Sequence, residues 1–216
     1  ILDYLLREQD HGSLKQPGVR ALLLYPMNAL ANDQMKRMRR VLERYPDITF
    51  GRYINIRETP ETRREADERF KETYGNSEPN IPNELKSREE MHATPPHILM
   101  TNYSMLEYLL LRPAASPLFD GETGKHWHFI VLDEAHVYDG ANATEMAMLL
   151  RRVQDRVAGD QHGKIQGIAT SATLGAGEKD YYKVAEFASA LFNKPFSWEE
   201  GNPEEQDVVG ADMLPI

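Results

Sequence analysis

No cysteine occurs among the 216 residues. That excludes disulfides, zinc–thiolate sites and cysteine nucleophiles within this segment, and it fits a cytoplasmic protein. No apolar run approaches the length needed to span a bilayer, and no signal peptide is apparent, so no membrane partner is expected. Positive charge is missing from residues 197–216, which carry the six acids Glu199, Glu200, Glu204, Glu205, Asp207 and Asp212; the rest of the chain holds only -3 of the net -9. Binding to a phosphate backbone needs a local positive face rather than a positive total. Candidate faces are Lys36, Arg37, Arg39 and Arg40, and the group Arg151, Arg152 and Arg156. For either group the plain alternative is a solvated helix face, and net charge alone decides nothing.

What is present is the composition of one soluble α/β domain, with 41% hydrophobic and 27% charged residues. The chain opens inside an apparent helix, Ile1 to about Glu8, without an initiating methionine, which suggests a piece of a longer protein. Val19 to Leu24 reads as a buried strand stopped by Tyr25-Pro26, and a helix follows from about Ala29 to Arg44. A short strand is expected within Asp47–Tyr53. Residues 57–96 form a charged surface insertion: a helix over Arg57–Tyr74, then an exposed loop rich in Pro, Asn and Glu over Gly75–Pro96. Strand character returns at His97–Met100, Phe129–Leu132 and Ile165–Thr170, with helices near Met105–Leu111, Ala143–Val157 and Asp180–Phe192. Strands alternating with helices argue for a parallel sheet wound on both faces.

Chemistry concentrates where strands end. Asp133-Glu134-Ala135-His136 sits directly behind the apolar run Phe129-Ile130-Val131-Leu132, and parallel sheets present their chemistry at the carboxyl ends of strands. Two adjacent acids there suit metal-assisted phosphoryl transfer: one holds Mg²⁺ through its water shell, and its neighbour orients the attacking water. The bland alternative is a helix cap. Three further junctions carry polar residues: Tyr25-Pro26-Met27-Asn28, Thr101-Asn102-Tyr103 and Ser171-Ala172-Thr173.

Taken together, these segments resemble the first RecA-like domain of superfamily 2 helicases of the DEAD/DEAH-box group. Asp133 to His136 matches motif II, and Ser171-Ala172-Thr173, about 35 residues later, matches motif III. Pro26 to Gln34 looks like motif Ia and Thr101 to Leu106 like motif Ib, in the family's order over about residues 19–174. The resemblance implies an α/β RecA-like fold, a single domain over 1–196 truncated at its N-terminal edge, and an acidic linker over 197–216 leading to a second RecA-like domain in cis. It implies ATP and Mg²⁺ as cofactors. Asp133 would hold the metal through water, Glu134 would polarise the hydrolytic water, and His136 would sense the γ-phosphate or contact motif III. Ser171 and Thr173 would couple nucleotide state to domain closure. Pro26, Asn28, Gln34, Thr101, Asn102 and Tyr103 would contact nucleic acid, with helix capping or packing as their ordinary alternatives. Finer features, such as Asp-Glu-Ala-His-x-Tyr-x-Gly followed by Leu150-Arg151-Arg152, look like bacterial DNA helicases of the Lhr, MrfA and DISARM kinds. They favour DNA, and defence- or repair-complex subunits, as partners.

There are departures from the pattern. Tyr53 is followed by Ile54-Asn55 where many relatives carry Thr-Gly, and no Gly-x-x-x-x-Gly-Lys-[Ser/Thr] phosphate loop occurs. In the family that loop would precede a helix such as Ile1–Glu8, and the motifs of the second domain would follow residue 216. The segment alone is therefore expected to hydrolyse no ATP, and a sheet edge left without its neighbour is a point of self-association. Other classes stay open. One is an ATPase that remodels nucleoprotein without unwinding, another a non-catalytic docking module, and the last a metal hydrolase lacking further charged ligands.

Overall fold

Leu22 and Leu24 face one side of their strand and Ala21 and Leu23 the other, and all four are buried. An uninterrupted apolar run is what a strand covered on both faces requires. In the computed structural model, which describes residues 1–26, 28–55, 57–75, 77–158, 164–171 and 178–210 (28–32 and 178 by backbone alone), that strand lies inside a parallel sheet. The elements in chain order are α1 (Leu2–Asp10), β1 (Ala21–Leu24), α2 (Asn28–Leu42), β2 (Phe50–Tyr53), α3 (Arg63–Tyr74), β3 (Glu84–Leu85) and α4 (Arg88–Ala93). There follow β4 (Ile98–Thr101), α5 (Tyr103–Leu110), α6 (Gly121–Gly124), β5 (Phe129–Leu132), α7 (Gly140–Ala158), β6 (Gln166–Ala169) and α8 (Tyr181–Phe192). Among the described residues the strands form one sheet in the order β3-β2-β4-β1-β5-β6, with every pairing parallel. This is an α/β fold of the RecA-like kind.

Each face has its own core. Leu22, Leu24, Leu99, Ile130 and Leu132 pack with residues of α5, α7 and α8, among them Leu106, Leu149, Val153 and Phe192. Ala21, Leu23, Phe50, Ile98 and Met100 pack with Leu5, Met35 and Leu42 on the opposite side. At β6 a Cβ on Gly167 would lie 2.7 Å from the Phe192 ring, so only glycine lets α8 approach this closely. The β6 strand is an edge, and its residues are exposed or half-buried.

The far edge differs from the sequence reading. Residues 75–96 do not form one exposed loop: Ile81, Asn83, Glu84, Ser87 and Met91 are buried, and Glu84–Leu85 pairs with β2. Arg39 of α2 holds Glu84 through two hydrogen bonds of 2.8 Å. Asn83 Nδ2 donates to the carbonyls of Leu42, Tyr45 and Ile48. These polar contacts anchor the strand together with Leu85, which packs against the core. The charged helix begins at Arg63 rather than Arg57, capped by Thr62, whose side chain accepts from the Glu65 amide. The acidic tail folds back as far as residue 207, where Asp207 accepts the Ser197 amide at 2.8 Å. Trp198 there meets the Tyr181 ring edge-on.

The amino ends of the strands are fixed by a buried polar cluster. Arg20 is fully buried; its Nε donates to Glu8 at 2.8 Å, and its other nitrogens donate to the carbonyls of Ser13, Gln16 and Gly18. Beside it His97 accepts the Thr49 amide on Nδ1 at 3.0 Å. Burial, with the Arg20 charge acting in the same direction, lowers the His97 pKa to about 4. The unfolded chain thus takes up a proton near pH 6.5 that the folded chain refuses until about pH 4. Stability from neutral His97 is complete above the unfolded pKa and is lost as pH falls toward the folded one. We expect the urea midpoint to drop between about pH 7 and about pH 4.5, with up to about 3 kcal/mol of the loss arising here. His92, His126 and His128 are lowered as well and act in the same direction. The His97→Asn variant, which keeps an acceptor for Thr49, should show a shallower pH slope; an unchanged slope would exclude His97 as the source.

Candidate active site and nucleic-acid edge

The sheet register determines what meets at the carboxyl edge. Leu24 is paired with both Thr101 and Leu132, and Leu132 with Ala169, so β4, β1, β5 and β6 end on one line. Directly beyond that line stand Asn102, Tyr25, Asp133 and Thr170.

Asp133 still belongs to the ladder, its amide donating to the Leu24 carbonyl at 3.0 Å. Glu134 then turns the chain through the left-handed region, with φ 51° and ψ 47°. A non-glycine residue there costs about 1–2 kcal/mol, so the surroundings must hold it. The next amide, Ala135 N–H, donates to the Thr170 carbonyl at 2.8 Å, and Val137 N–H donates back to the Glu134 carbonyl at 3.0 Å. A 3₁₀ turn over Ala135–Val137 results, and it brings His136 back over the strand ends. His136 Nδ1 lies 3.3 Å from a Glu134 carboxylate oxygen and 3.1 Å from the Ser171 hydroxyl. The Thr170 hydroxyl donates to Asp133. Asp133, Glu134 and His136 are all partly exposed.

The sequence-predicted Asp133, Glu134, His136 and Ser171 therefore converge, while Thr173 lies outside the described residues. Thr170 was missed. Its signal was slight, a hydroxyl directly after an apolar strand and beside the more conspicuous Ser171. Backbone and side chain of Thr170 both bind the acidic segment, one through each atom set that an in-register neighbour can offer.

The neighbouring junctions are quieter. Pro26 is half-buried in the bend after β1, and Gln34 is half-buried on α2. Asn28 opens α2, and its side chain lies outside the described residues. Thr101 is fully buried, with its hydroxyl donated to the Tyr53 carbonyl. Asn102 caps α5, accepting the Met105 amide at 2.8 Å and donating to the Ile54 carbonyl at 2.9 Å. Tyr103 is partly exposed, and burial followed by the charges of Glu107 and Glu145 raises its pKa. The two basic clusters are dispersed. Arg39 is buried against Glu84, Arg152 pairs with Glu107 at 2.9 Å, and Arg156 grips Asp120 with two nitrogens.

The donor set bears on cofactors. Among the described residues no three His, Asp or Glu side chains cluster as metal ligands. A single carboxylate fits Mg²⁺, which keeps most of its waters and takes further oxygens from substrate phosphates. Asp133, at the end of β5 and half-exposed, has the donor chemistry of such a carboxylate. No phosphate-loop sequence occurs among the 216 residues.

A parallel α/β sheet with an acid pair, a histidine and strand-end hydroxyls at its carboxyl edge defines a RecA-like domain. The DEAD/DEAH box helicase family model matches residues 2–180, and the chain belongs to that family. It is 30% identical to the Druantia protein DruE of Escherichia coli (strain UMEA 4076-1), in an alignment covering 93% of this chain and 15% of that protein. It is 27% identical to the ATP-dependent helicase MJ1574 of Methanocaldococcus jannaschii, covering 85% of this chain and 22% of that one. The chain thus spans less than a quarter of either relative's length. The fold matches that of the helicase MrfA bound to DNA, with a TM-score of 0.57 at 24% identity over 88% of this chain and 20% of that one. It also matches the DEAD-box helicase Mss116 bound to single-stranded RNA, with a TM-score of 0.58 at 15% identity over 88% and 31% of the two chains. No helix among the described residues is long and apolar enough to cross a membrane.

Asn102 separates capping from any contact role. Asn102→Ala should lower stability by about 1–2 kcal/mol through loss of the cap, whereas Asn102→Asp, which keeps the acceptor, should lose clearly less. Equal losses in urea denaturation would show that the Ile54 contact, not the cap, carries the effect.

Proposed function

We propose that this chain is the motor half of an ATP-dependent nucleic-acid helicase or translocase, acting on DNA in the cytoplasm. In this reading residues 1–196 form the first RecA-like domain, and residues 197–216 lead toward a second one in cis. The observation that carries the proposal is the strained Glu134, held beside Asp133 at the end of β5 and within reach of His136 and Ser171 on the neighbouring turn and strand.

Mg-ATP, when bound, supplies the phosphoryl group whose transfer to water drives the motor. Asp133 would hold the Mg²⁺, and the Thr170 hydroxyl, which donates to it, orients its carboxylate. Glu134 stands one residue further out, where it orients the attacking water and accepts its proton. His136 bridges Glu134 and Ser171, so a change at the acid pair reaches β6 through one side chain. Ser171 and Thr173 pass that change to the partner domain. Hydroxyls suit such a task because they exchange hydrogen-bond partners without repacking a core. Of the residues expected to contact nucleic acid, Pro26, Asn28, Gln34 and Tyr103 would meet the strand directly. Thr101 and Asn102 contribute by shaping the loops that Tyr103 and the helix amides present. The DNA-favouring sequence features, together with MrfA bound to DNA among the structures that share the fold, support DNA as substrate, and the same sequence features support a defence or repair assembly as context.

The test is nucleic-acid-stimulated ATP hydrolysis by the intact protein, with single-stranded DNA and RNA in parallel. Glu134→Gln should reduce turnover about 10²–10⁴-fold, with DNA the better stimulator of the wild type, while the 216-residue segment alone turns over no ATP. Equal turnover in wild type and variant would overturn the assignment of Glu134. Absence of turnover with retained strand binding would instead make the domain a docking module.

A further inference from the structure

Thr170 is tied to the acidic segment by backbone and side chain together. Its amide donates to the Leu132 carbonyl at 2.9 Å, its carbonyl accepts the Ala135 amide at 2.8 Å, and its hydroxyl donates to Asp133 Oδ1. The two backbone bonds straddle Asp133 in the chain, so Thr170 cannot shift relative to that residue without breaking one of them. The Asp133 amide is anchored in turn on the Leu24 carbonyl at 3.0 Å. A β-branched side chain adds stiffness at χ1. The register of β6 against β5 thus delivers one hydroxyl to one oxygen of one carboxylate, although Thr170 itself is exposed.

The two Asp133 oxygens are left unequal. Oδ1 is engaged by a neutral donor and turned toward β6, whereas Oδ2 receives no hydrogen bond from the described residues. Divalent cations differ in what they ask of a carboxylate. Mg²⁺ takes near-octahedral oxygens at about 2.0–2.1 Å, keeps several waters, and is served by one carboxylate oxygen. Ca²⁺ takes about six to eight ligands at about 2.3–2.6 Å and readily grips both oxygens of one carboxylate. A hydrogen bond held on Oδ1 leaves the first mode intact and weakens the second, because that oxygen has already committed lone-pair density to a proton.

We propose that Thr170 determines cation specificity: by engaging Oδ1 it confines Asp133 to ligation through one oxygen and selects Mg²⁺ over Ca²⁺. The proposal rests on the reading of Asp133 as the carboxylate that holds the metal, and it adds which cation is refused and by what group. Thr170 is a positioning residue in this scheme, acting through Asp133.

Nucleotide binding rather than turnover tests this. The affinity of the intact protein for the non-hydrolysable β,γ-imido analogue of ATP is measured at equilibrium in MgCl2 and in CaCl2. The ratio of the two dissociation constants is then compared across variants, where the analogue's own metal affinity cancels. Thr170→Val keeps the β-branched shape and removes the donor. It should lower the preference for Mg²⁺ about tenfold, chiefly through tighter binding in Ca²⁺. Thr170→Ser keeps the hydroxyl on a looser rotamer and should retain most of the preference. A merely structural loss would weaken binding in both metals alike, and an unchanged ratio in a folded Val variant overturns the proposal. So does a Ser variant no more selective than Val. Asp133→Asn separates the proposal from the reading beneath it. A metal preference that survives in Asp133→Asn shows that Asp133 does not hold the cation, and both fall. A preference lost in Asp133→Asn but kept in Thr170→Val leaves Asp133 its role and denies only that of Thr170.

Discussion

Ala169, Leu132, Leu24, Thr101 and Tyr53 stand in register across five parallel strands, and the chemistry of the domain depends on that alignment. A parallel strand cannot slip by one residue without exchanging its core face for the other. Leu22, Leu24, Ile130 and Leu132 must face α5 and α7, while Ala21, Leu23 and Phe129 face the opposite core. Once those faces are set, the first residues beyond the strands have no freedom either. Asp133 falls opposite the Leu24 carbonyl, and Thr170 falls opposite Leu132. Hydrophobic pairing, which carries no chemical information itself, thereby places a carboxylate and a hydroxyl within hydrogen-bonding distance.

The same alignment explains why Glu134 tolerates a left-handed backbone. The ladder between β5 and β6 continues one step past the strands through Ala135 N–H and the Thr170 carbonyl, so the turn is closed from outside the acidic segment. Any shift of β6 along β5 would release that bond and the Thr170–Asp133 contact together. Strain stored on one strand and relieved by its neighbour makes the acid pair sensitive to the position of β6.

Much of this was legible in the sequence, for reasons that differ by element. The strand Phe129–Leu132 and the helices after β1, β4, β5 and β6 follow from apolar runs and helical spacing, and motif order located Asp133, Glu134, His136 and Ser171. What failed were features set by polar contacts between distant residues. Glu84 looked like loop because a lone acid between Asn83 and Leu85 carries no strand signal; Arg39, 45 positions earlier in the chain, supplies its reason for being buried. Arg39 in turn looked like part of a basic surface, since burial of one arginine among Arg37, Arg39 and Arg40 depends on which helix face meets α3 and β3. Thr170 escaped notice because its role rests on the register of β6 against β5, which periodicity does not specify.

The dispersal of the basic clusters bears on how an acidic domain approaches a polyanion. Arg39 is paired with the buried Glu84, and Arg152 and Arg156 with Glu107 and Asp120 at the surface, so part of the basic charge is already matched by carboxylates. In a parallel α/β fold, though, every helix that follows a strand starts at that edge. Here α2 begins four residues after β1, and α5 begins two residues after β4. Their aligned dipoles give the edge positive character without formal charge. Contacts of that kind hold phosphates while depending less on counterion release than lysine contacts do, because no cation of the protein is neutralised. Net negative charge around the edge, including the acids of the 197–210 segment, would then discourage binding elsewhere on the surface and confine the strand to the edge where the helix ends converge.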